Sequence, residues 1–416
     1  MTFNRYRAGD SVNPYFSAFA IVACLLFAPP RVLGQTSAVE DGASTARVHW
    51  GPLRVNPTFA LTNIGVDGNV FNAADANHPQ SDFTATLTPG ADAWFRAGRS
   101  VVAVSAREDL VYYREFATER SINGYYSVTA TVPVNRLSWK IGGDYLSARD
   151  RPGFEIDARS LHTEGGVHGG AEARMFGKTF VAATVRRATI KFDQDAVFMG
   201  ASLQQELSRE VTTADVAVRH QLTPVTGVIV DVSRENDRFL YNSERDSAST
   251  RIMGRVRFAT RLHGDASLGY RSFEPRDSSV PVFRGLTANA DVSFATVGST
   301  RLGVQVVRDV DYSYDIQQPY YIQTGATASF TRGLFGPLSG SARIGWQQLA
   351  YRGRIALMAA VPDRTDLVSL LGGSISYRVA GGTRVFFNVD KQQRNSDIAG
   401  HSYGGLRYGT SVMYGF

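Results

Sequence analysis

The chain holds a single cysteine, Cys24, in 416 residues, so a disulfide framework is impossible and a cysteine-based metal site lacks ligands. It has no apolar run long enough to cross a bilayer as a helix; the longest, Tyr15 to Ala28, falls short of the length required. No run of basic residues exceeds the pair Arg186–Arg187, and the formal net charge of +6 is dispersed, which argues against nucleic acid as a partner. From Pro52 onward helical periodicity is almost absent as well. These absences remove the disulfide-stapled secreted domain, the helical membrane bundle and the nucleic-acid binder.

What the chain does have is glycine and aromatic residues, with 40 Gly, 18 Tyr and 24 Phe among residues that are 43% hydrophobic and 20% charged. The first 34 residues carry Arg5 and Arg7, then the apolar core Tyr15–Ala28, then small residues before Gln35, the layout of a secretory signal peptide. Residues 1–34 are therefore expected to be removed, leaving 35–52 as a short periplasmic segment ahead of the folded domain, 53–416. The stretch Ile21–Cys24 also fits a lipoprotein cleavage pattern, but Leu25, Leu26 and Phe27 continue the apolar core and favour removal.

Beyond Pro52 the sequence repeats ribbons of alternating character. In Asp82–Ala97, Phe83, Ala85, Leu87, Pro89, Ala91, Ala93 and Phe95 share one side, with Thr84, Thr86, Thr88, Gly90, Asp92, Trp94 and Arg96 on the other. Side chains of a strand point alternately to its two faces, so each such ribbon has one apolar and one polar face. A soluble sandwich and a membrane barrel both have this period. Loop length separates them: tight turns such as those around Gly98, Asn135, Gly177 and Gly298 alternate with longer polar loops, the arrangement of outer-membrane barrels.

Strands are predicted to start near 53, 82, 100, 124, 137, 164, 179, 211, 226, 249, 263, 283, 300, 320, 338, 366, 383 and 405. This predicts an all-β, antiparallel, up-and-down transmembrane barrel of about eighteen strands without a plug domain. Val197–Glu210 is read as strand extension plus outer loop, because a nineteenth strand would leave the two ends on opposite sides of the membrane. The chain ends in the alternating strand Leu406, Tyr408, Thr410, Val412, Tyr414, Phe416. A terminal aromatic, with Tyr414 two residues before Phe416, is read as the signal by which the barrel-assembly machinery recognises its clients. The expected location is therefore the bacterial outer membrane, with outer-membrane lipid and lipopolysaccharide as surroundings.

The segment Arg54–Asn72 with Asp82–Gly98 resembles the opening of the family named putative beta-barrel porin 2, through Pro57 and the turn residues Asp67, Asn69, Val70 and Phe71. The family's usual aromatic Gly-Tyr-Asp is Gly65-Val66-Asp67 here. The resemblance in layout covers roughly Pro52 to Phe416. It implies an unplugged barrel associated with export of a polar polymer such as an exopolysaccharide, with periplasmic polysaccharide-export proteins as partners.

On residues alone, a channel is the leading expectation. The polar faces place Asp92, Trp94, Arg96, Arg251, Arg255, Arg257, Asp291, Arg301, Asp309, Arg343, Arg384 and Arg407 toward a wet lumen, where rings of charge set selectivity. The modest basic excess predicts mild anion preference, although Arg251, Arg255 and Arg257 are better read as partners of carboxylates on neighbouring strands. A general diffusion porin or a structural barrel is the alternative, and a barrel-embedded hydrolase a weaker one. Of the seven histidines, none stands in a recognisable nucleophile motif. No catalytic residue, cofactor or metal is expected; the acidic cluster Asp309, Asp311, Asp315 is read as hydrated lumenal carboxylates. Arg352–Asp366, with its apolar Ile355–Val361, is the expected candidate for a loop that constricts the pore.

Overall fold

The computed structural model describes residues 43–415, without 45, 75–76, 297, 356–362 and 399. Residues 1–34 with their expected cleavage and Cys24, the apolar stretch 356–361 and Phe416 lie outside the described residues.

Eighteen antiparallel strands follow one another round a closed barrel. They are β1 Leu53–Asp67, β2 Asp82–Ala97, β3 Ser100–Tyr113, β4 Ser121–Val134, β5 Leu137–Asp150, β6 Ser160–Phe176, β7 Thr179–Phe192, β8 Arg209–Thr223 and β9 Thr226–Phe239. Then come β10 Ser247–Ala259, β11 Leu262–Pro275, β12 Phe283–Ala295, β13 Thr300–Tyr312, β14 Tyr320–Phe335, β15 Leu338–Arg352, β16 Thr365–Arg378, β17 Thr383–Asn395 and β18 Tyr403–Tyr414. All eighteen predicted strands exist, with starts displaced by at most four residues. At 12 to 17 residues each, they exceed the 9–11 or so needed to span hydrocarbon, and so project beyond it.

Closure joins β1 to β18, from Phe59↔Tyr414 to Asp67↔Arg407, with a bulge between Leu61 and Ile64 where Asn63 takes φ 54°. The two backbones meet so closely that a Cβ on Gly65 would lie 2.0 Å from the Tyr408 carbonyl oxygen. Gly65 faces Gly409 across this seam. Below Phe59, a short strand, Val48–Trp50, pairs with Leu53–Val55 and covers the edge of β1. The turn residues Asp67 and Asn69 fasten the outer end. Arg407 pairs with Asp67 at 2.9 Å, and Asn69 donates to the Gly404 carbonyl at 2.9 Å.

The apolar faces point outward. Val104, Val128, Trp139, Ile141, Val185, Val216, Leu268, Ile344 and Trp346 are all exposed, as a lipid-facing wall requires. Tyr112, Tyr126 and Tyr145 stand exposed on this outer face. Tyr312, Tyr314, Tyr320 and Tyr321, which strand-end aromatics would place at the headgroup level, are instead buried or nearly so within the outer end of the barrel. Their ring faces meet other aromatics rather than lipid, for instance Phe198 against Tyr314 at 4.8 Å.

Of Val197–Glu210, only Arg209–Glu210 extends a strand, and the rest is an outer loop with structure of its own. The segment folds as a two-residue hairpin (Val197–Phe198 with Ala201–Ser202), the helix α1 (Leu203–Leu207) and the start of β8 at Arg209. Leu203 and Leu207, one helical turn apart, are both buried, which is why a helix rather than a strand resolves this segment.

Candidate functional site: a loop-closed outer mouth above a charge-paired lumen

Two loops turn inward at the outer end. The first, residues 151–159 between β5 and β6, reaches residues of the β13–β14 loop and of β17. Glu155 accepts from Ser313 Oγ at 2.5 Å and from the Tyr314 amide at 3.1 Å. Arg394 of β17 donates to the Glu155 carbonyl at 2.8 Å, to Asp157 Oδ2 at 2.9 Å and to Asp366 Oδ2 at 2.6 Å. Arg394 and Asp366 are both fully buried. Asp157 also binds the β1–β2 loop, its carbonyl accepting from Asn72 Nδ2 at 3.0 Å, while Arg151 donates to the Val70 carbonyl at 2.7 Å.

The second inward loop, residues 193–208, carries α1. Phe198, Leu203 and Leu207 pack with Ile156, Ile190, Phe192 and Tyr314 in one apolar cluster. Arg245 of the β9–β10 loop pairs with Glu206 at 2.7 Å and donates to the carbonyls of Ser313 and Pro319. Loops from separate parts of the wall thus share one buried core inside the barrel. The apolar centre of the segment expected to constrict the pore, Arg352–Asp366, lies outside the described residues, and its described end contributes the buried Arg364 and Asp366 to this core; among the described residues 151–159 and 193–208 also fold inward. Phe154 and Ile156, set among charges, and the spaced pair Leu203 and Leu207 were the available signals.

Charges in this core are governed by burial. Burial, with Asp311 nearby, pushes the Glu155 carboxyl up to about 8 from its ordinary 4.5, against the opposing hydrogen bonds from Ser313 and Tyr314 and the pull of Arg394. Burial also pushes the imidazole of His401 down to about 4, assisted by Arg394 and Arg364, so it is neutral at physiological pH. Glu155 binds more protons in its buried site than in water. The Glu155 contribution to the closed arrangement is therefore whole below about 4.5 and is lost as pH climbs to about 8, whereas the His401 contribution is whole above about 6.5 and is lost as pH falls toward 4. Single-channel recordings should show open probability rising between about pH 6.5 and about pH 8 and level above that. Glu155→Gln, which keeps the neutral shape, should flatten that rise.

The residues expected to line the pore stand on the strand faces opposite the exposed apolar ones: Asp92, Trp94 and Arg96 on β2; Arg251, Arg255 and Arg257 on β10; Asp291 on β12; Arg301 and Asp309 on β13; Arg343 on β15; Arg384 on β17; Arg407 on β18. The structure joins many of them in pairs rather than in rings of one sign. Arg251 and Arg271 both bind Asp309 at 2.8 Å, and Arg271 reaches Glu235 at 3.0 Å. Arg343 binds Asp390 at 2.7 Å, Arg219 binds Glu172 at 2.8 Å, Arg186 binds Asp144 at 2.7 Å and Arg257 lies 3.6 Å from Asp265. Asp291 accepts from Gln305 at 3.2 Å. Arg271, Glu235 and Glu172 belong to these pairs and carry the same alternation signal as the predicted residues. Ser339 and Ser341 face Ser376 and Ser374 at 2.7 Å, adding an uncharged hydroxyl stripe.

Asp309 is taken up by two arginines and Asp311 accepts from Tyr321 Oη at 2.5 Å. Among the described residues no His, Cys, Asp or Glu group has the form of a metal site. His162 lies 3.7 Å from both Asp150 and Glu164 and is buried and stacked on Phe192.

Residues 49–415 match the family described as putative beta-barrel porin 2. The chain belongs to this porin family. It is accordingly a bacterial outer-membrane β-barrel of the channel type. Among solved structures it is similar to OccK2 (OpdF) of Pseudomonas aeruginosa, at 12% identity and a TM-score of 0.50, with 86% of this chain and 97% of that chain covered. It is also similar to OccAB4 of Acinetobacter baumannii, at 9% identity and a TM-score of 0.46 over 86% of this chain and 97% of that one. Likeness at such identities is one of fold. No curated protein matches the chain.

Proposed function

We propose that this porin-family barrel is a gated channel for a hydrated, polyhydroxylated solute, and that the natural cargo is a polar polymer such as an exopolysaccharide leaving the cell. The observation that carries this reading is the contrast between a mouth filled by interlocked loops and a lumen whose charges are neutralised in pairs. A constitutive diffusion pore gains nothing from a buried Glu155–Arg394–Asp366 core across its exit. A lumen of ion pairs and hydroxyls holds water without a strong net field, and so passes a neutral or weakly charged chain without trapping it. Periplasmic polysaccharide-export proteins are the partners this reading calls for, with the barrel-assembly machinery needed for insertion. The channel reading needs neither a nucleophile nor an oxyanion donor set.

The test uses planar bilayers. The intact protein should be nearly silent, and replacement of residues 152–158 by a short Gly-Ser linker should give large, long-lived openings that dextran oligomers block in a size-dependent way. A deletion variant that conducts but excludes even short oligomers would remove polymer export and leave the general diffusion porin, which is the alternative reading. A folded deletion variant that does not conduct would remove both.

Pairing also sets the ion preference. Asp390→Asn releases Arg343 into a hydrated lumen, where one unpaired charge is worth about 1 kcal/mol at close range, or roughly fivefold in local anion occupancy. The reversal potential in a salt gradient should move toward anions by an amount within that limit, and Arg343→Gln/Asp390→Asn together should restore the parent value.

A further inference from the structure

The wall is not paired along its whole height between β12 and β13. Their eight registered pairs run from Ala295↔Arg301 up to Ala288↔Arg308 and stop there. Above that level β12 continues to pair with β11 as far as Phe273↔Phe283, and β13 with β14 as far as Tyr312↔Tyr320. The outer half of the β13–β14 hairpin has moved inside its neighbours. Val310, Tyr320 and Ile322 lie on strand faces that point to lipid lower down, yet they pack on Phe273 and Phe283, which lie on the lumenal faces of β11 and β12.

An edge freed in this way exposes backbone groups that a membrane cannot satisfy. On β13, three of these groups are met by side chains. The amide of Val310 donates to Asp309 Oδ1 at 2.8 Å and the amide of Tyr312 to Asp311 Oδ1 at 2.8 Å. The Val310 carbonyl accepts from Arg271 at 3.2 Å. The split is therefore capped rather than frayed on its β13 side. Its interior is apolar, and its two outward margins carry cations: Arg284 on β12, exposed and 4.0 Å from Glu274, and Arg308 at the foot of the split on β13. Above it, Arg354 ties the β15–β16 loop to Asp277, Ser279 and the Ile316 carbonyl, so the hairpin tip is clasped from both sides. The β18–β1 seam is the opposite case, fastened at the same end by Asp67, Asn69 and Arg407.

We propose that the outer half of the β12–β13 seam is a lateral portal, through which a single-chain anionic amphiphile passes between the lumen and the outer leaflet. The alkyl tail takes the apolar interior and the head group meets Arg284 and Arg308. The route is separate from axial conduction and stands whether or not the cargo of the axis is a polymer.

Photocrosslinking of the full chain in bilayers tests it, with tritiated laurate and tritiated phosphatidylglycerol as probes. p-Benzoylphenylalanine replaces Phe283 in the seam, Phe386 buried on β17, or Phe294 exposed to lipid; Tyr320 offers a second seam position should the first variant fail to fold. Laurate should label Phe283 or Tyr320 at least tenfold above Phe386, phosphatidylglycerol should label only Phe294, and Arg284→Gln/Arg308→Gln should cut the seam signal several-fold. Laurate labelling in the seam no higher than at Phe386 overturns the portal. Equal labelling by the diacyl lipid overturns it too, since the seam would then be ordinary lipid contact. Axial conductance recorded on the same samples reports on the channel separately.

Discussion

Arg394→Ala should open the mouth. The guanidinium is fully buried and is shared by Asp366, Asp157 and the Glu155 carbonyl, so its loss strands two carboxylates and a carbonyl in a site that water does not reach. Breaking a buried pair by removing one partner costs about 3–5 kcal/mol, mostly through the charge left behind. That cost falls on the closed arrangement and is relieved when loop 151–159 swings out and its carboxylates hydrate. The expected result is a channel open most of the time at neutral pH, with the barrel itself retained. The same protein should still show the mobility shift of a folded barrel on an unheated gel. Asp366→Asn should open the mouth less, because Ser396 and Arg394 keep hydrogen-bond partners there. If Arg394→Ala stays as silent as the parent while remaining folded, the loop is packing and not a gate.

The barrel was legible in the sequence because each strand carries its own evidence. Alternation over ten or more residues fixes the two faces, and the alternation of loop lengths tells which end of each strand is outside. These are local signals, and they placed Asp92, Asp309 and Arg343 on the lumenal face without knowledge of any neighbour. What closes the lumen depends on contacts between residues far apart in the chain. Glu155 meets Ser313, and Arg394 meets Asp157, across more than 150 positions, and nothing in the local pattern around Glu155 distinguishes it from a solvated loop acid. The identity of the charge pairs was illegible for the same reason. Counting charges on a face cannot show that Arg343 and Asp390, or Arg271 and Asp309, sit within bonding distance. The split between β12 and β13 was hidden because alternation continues unbroken through Val310 and Tyr312, although the surface they face has changed from lipid to the lumenal side of the adjacent wall.

Closure of the barrel rests on one position where the sequence permits almost no alternative. The seam strands β1 and β18 approach so closely that Gly65 faces Gly409, and a methyl on Gly65 would lie 2.0 Å from a backbone carbonyl, far inside contact distance. A flexible side chain could yield to such a clash; a carbonyl held in a strand ladder cannot without parting the strands. Gly65→Ala should therefore weaken the seam by more than the 1–3 kcal/mol or so typical of overpacking, and Gly65→Val should prevent closure. An unclosed edge has no solvent partner in hydrocarbon, so the failure should appear as loss of assembled, heat-modifiable barrel rather than as a folded protein with altered conductance. Gly409→Ala, whose added carbon would meet Ile64 O at 3.0 Å, should cost less and leave some barrel assembled. Equal yields of folded barrel from Gly65→Val and the parent would mean that the first and last strands are joined in a different register from Phe59↔Tyr414, and with it the positions of Asp67 and Asn69 at the outer end of the seam would have to be redrawn.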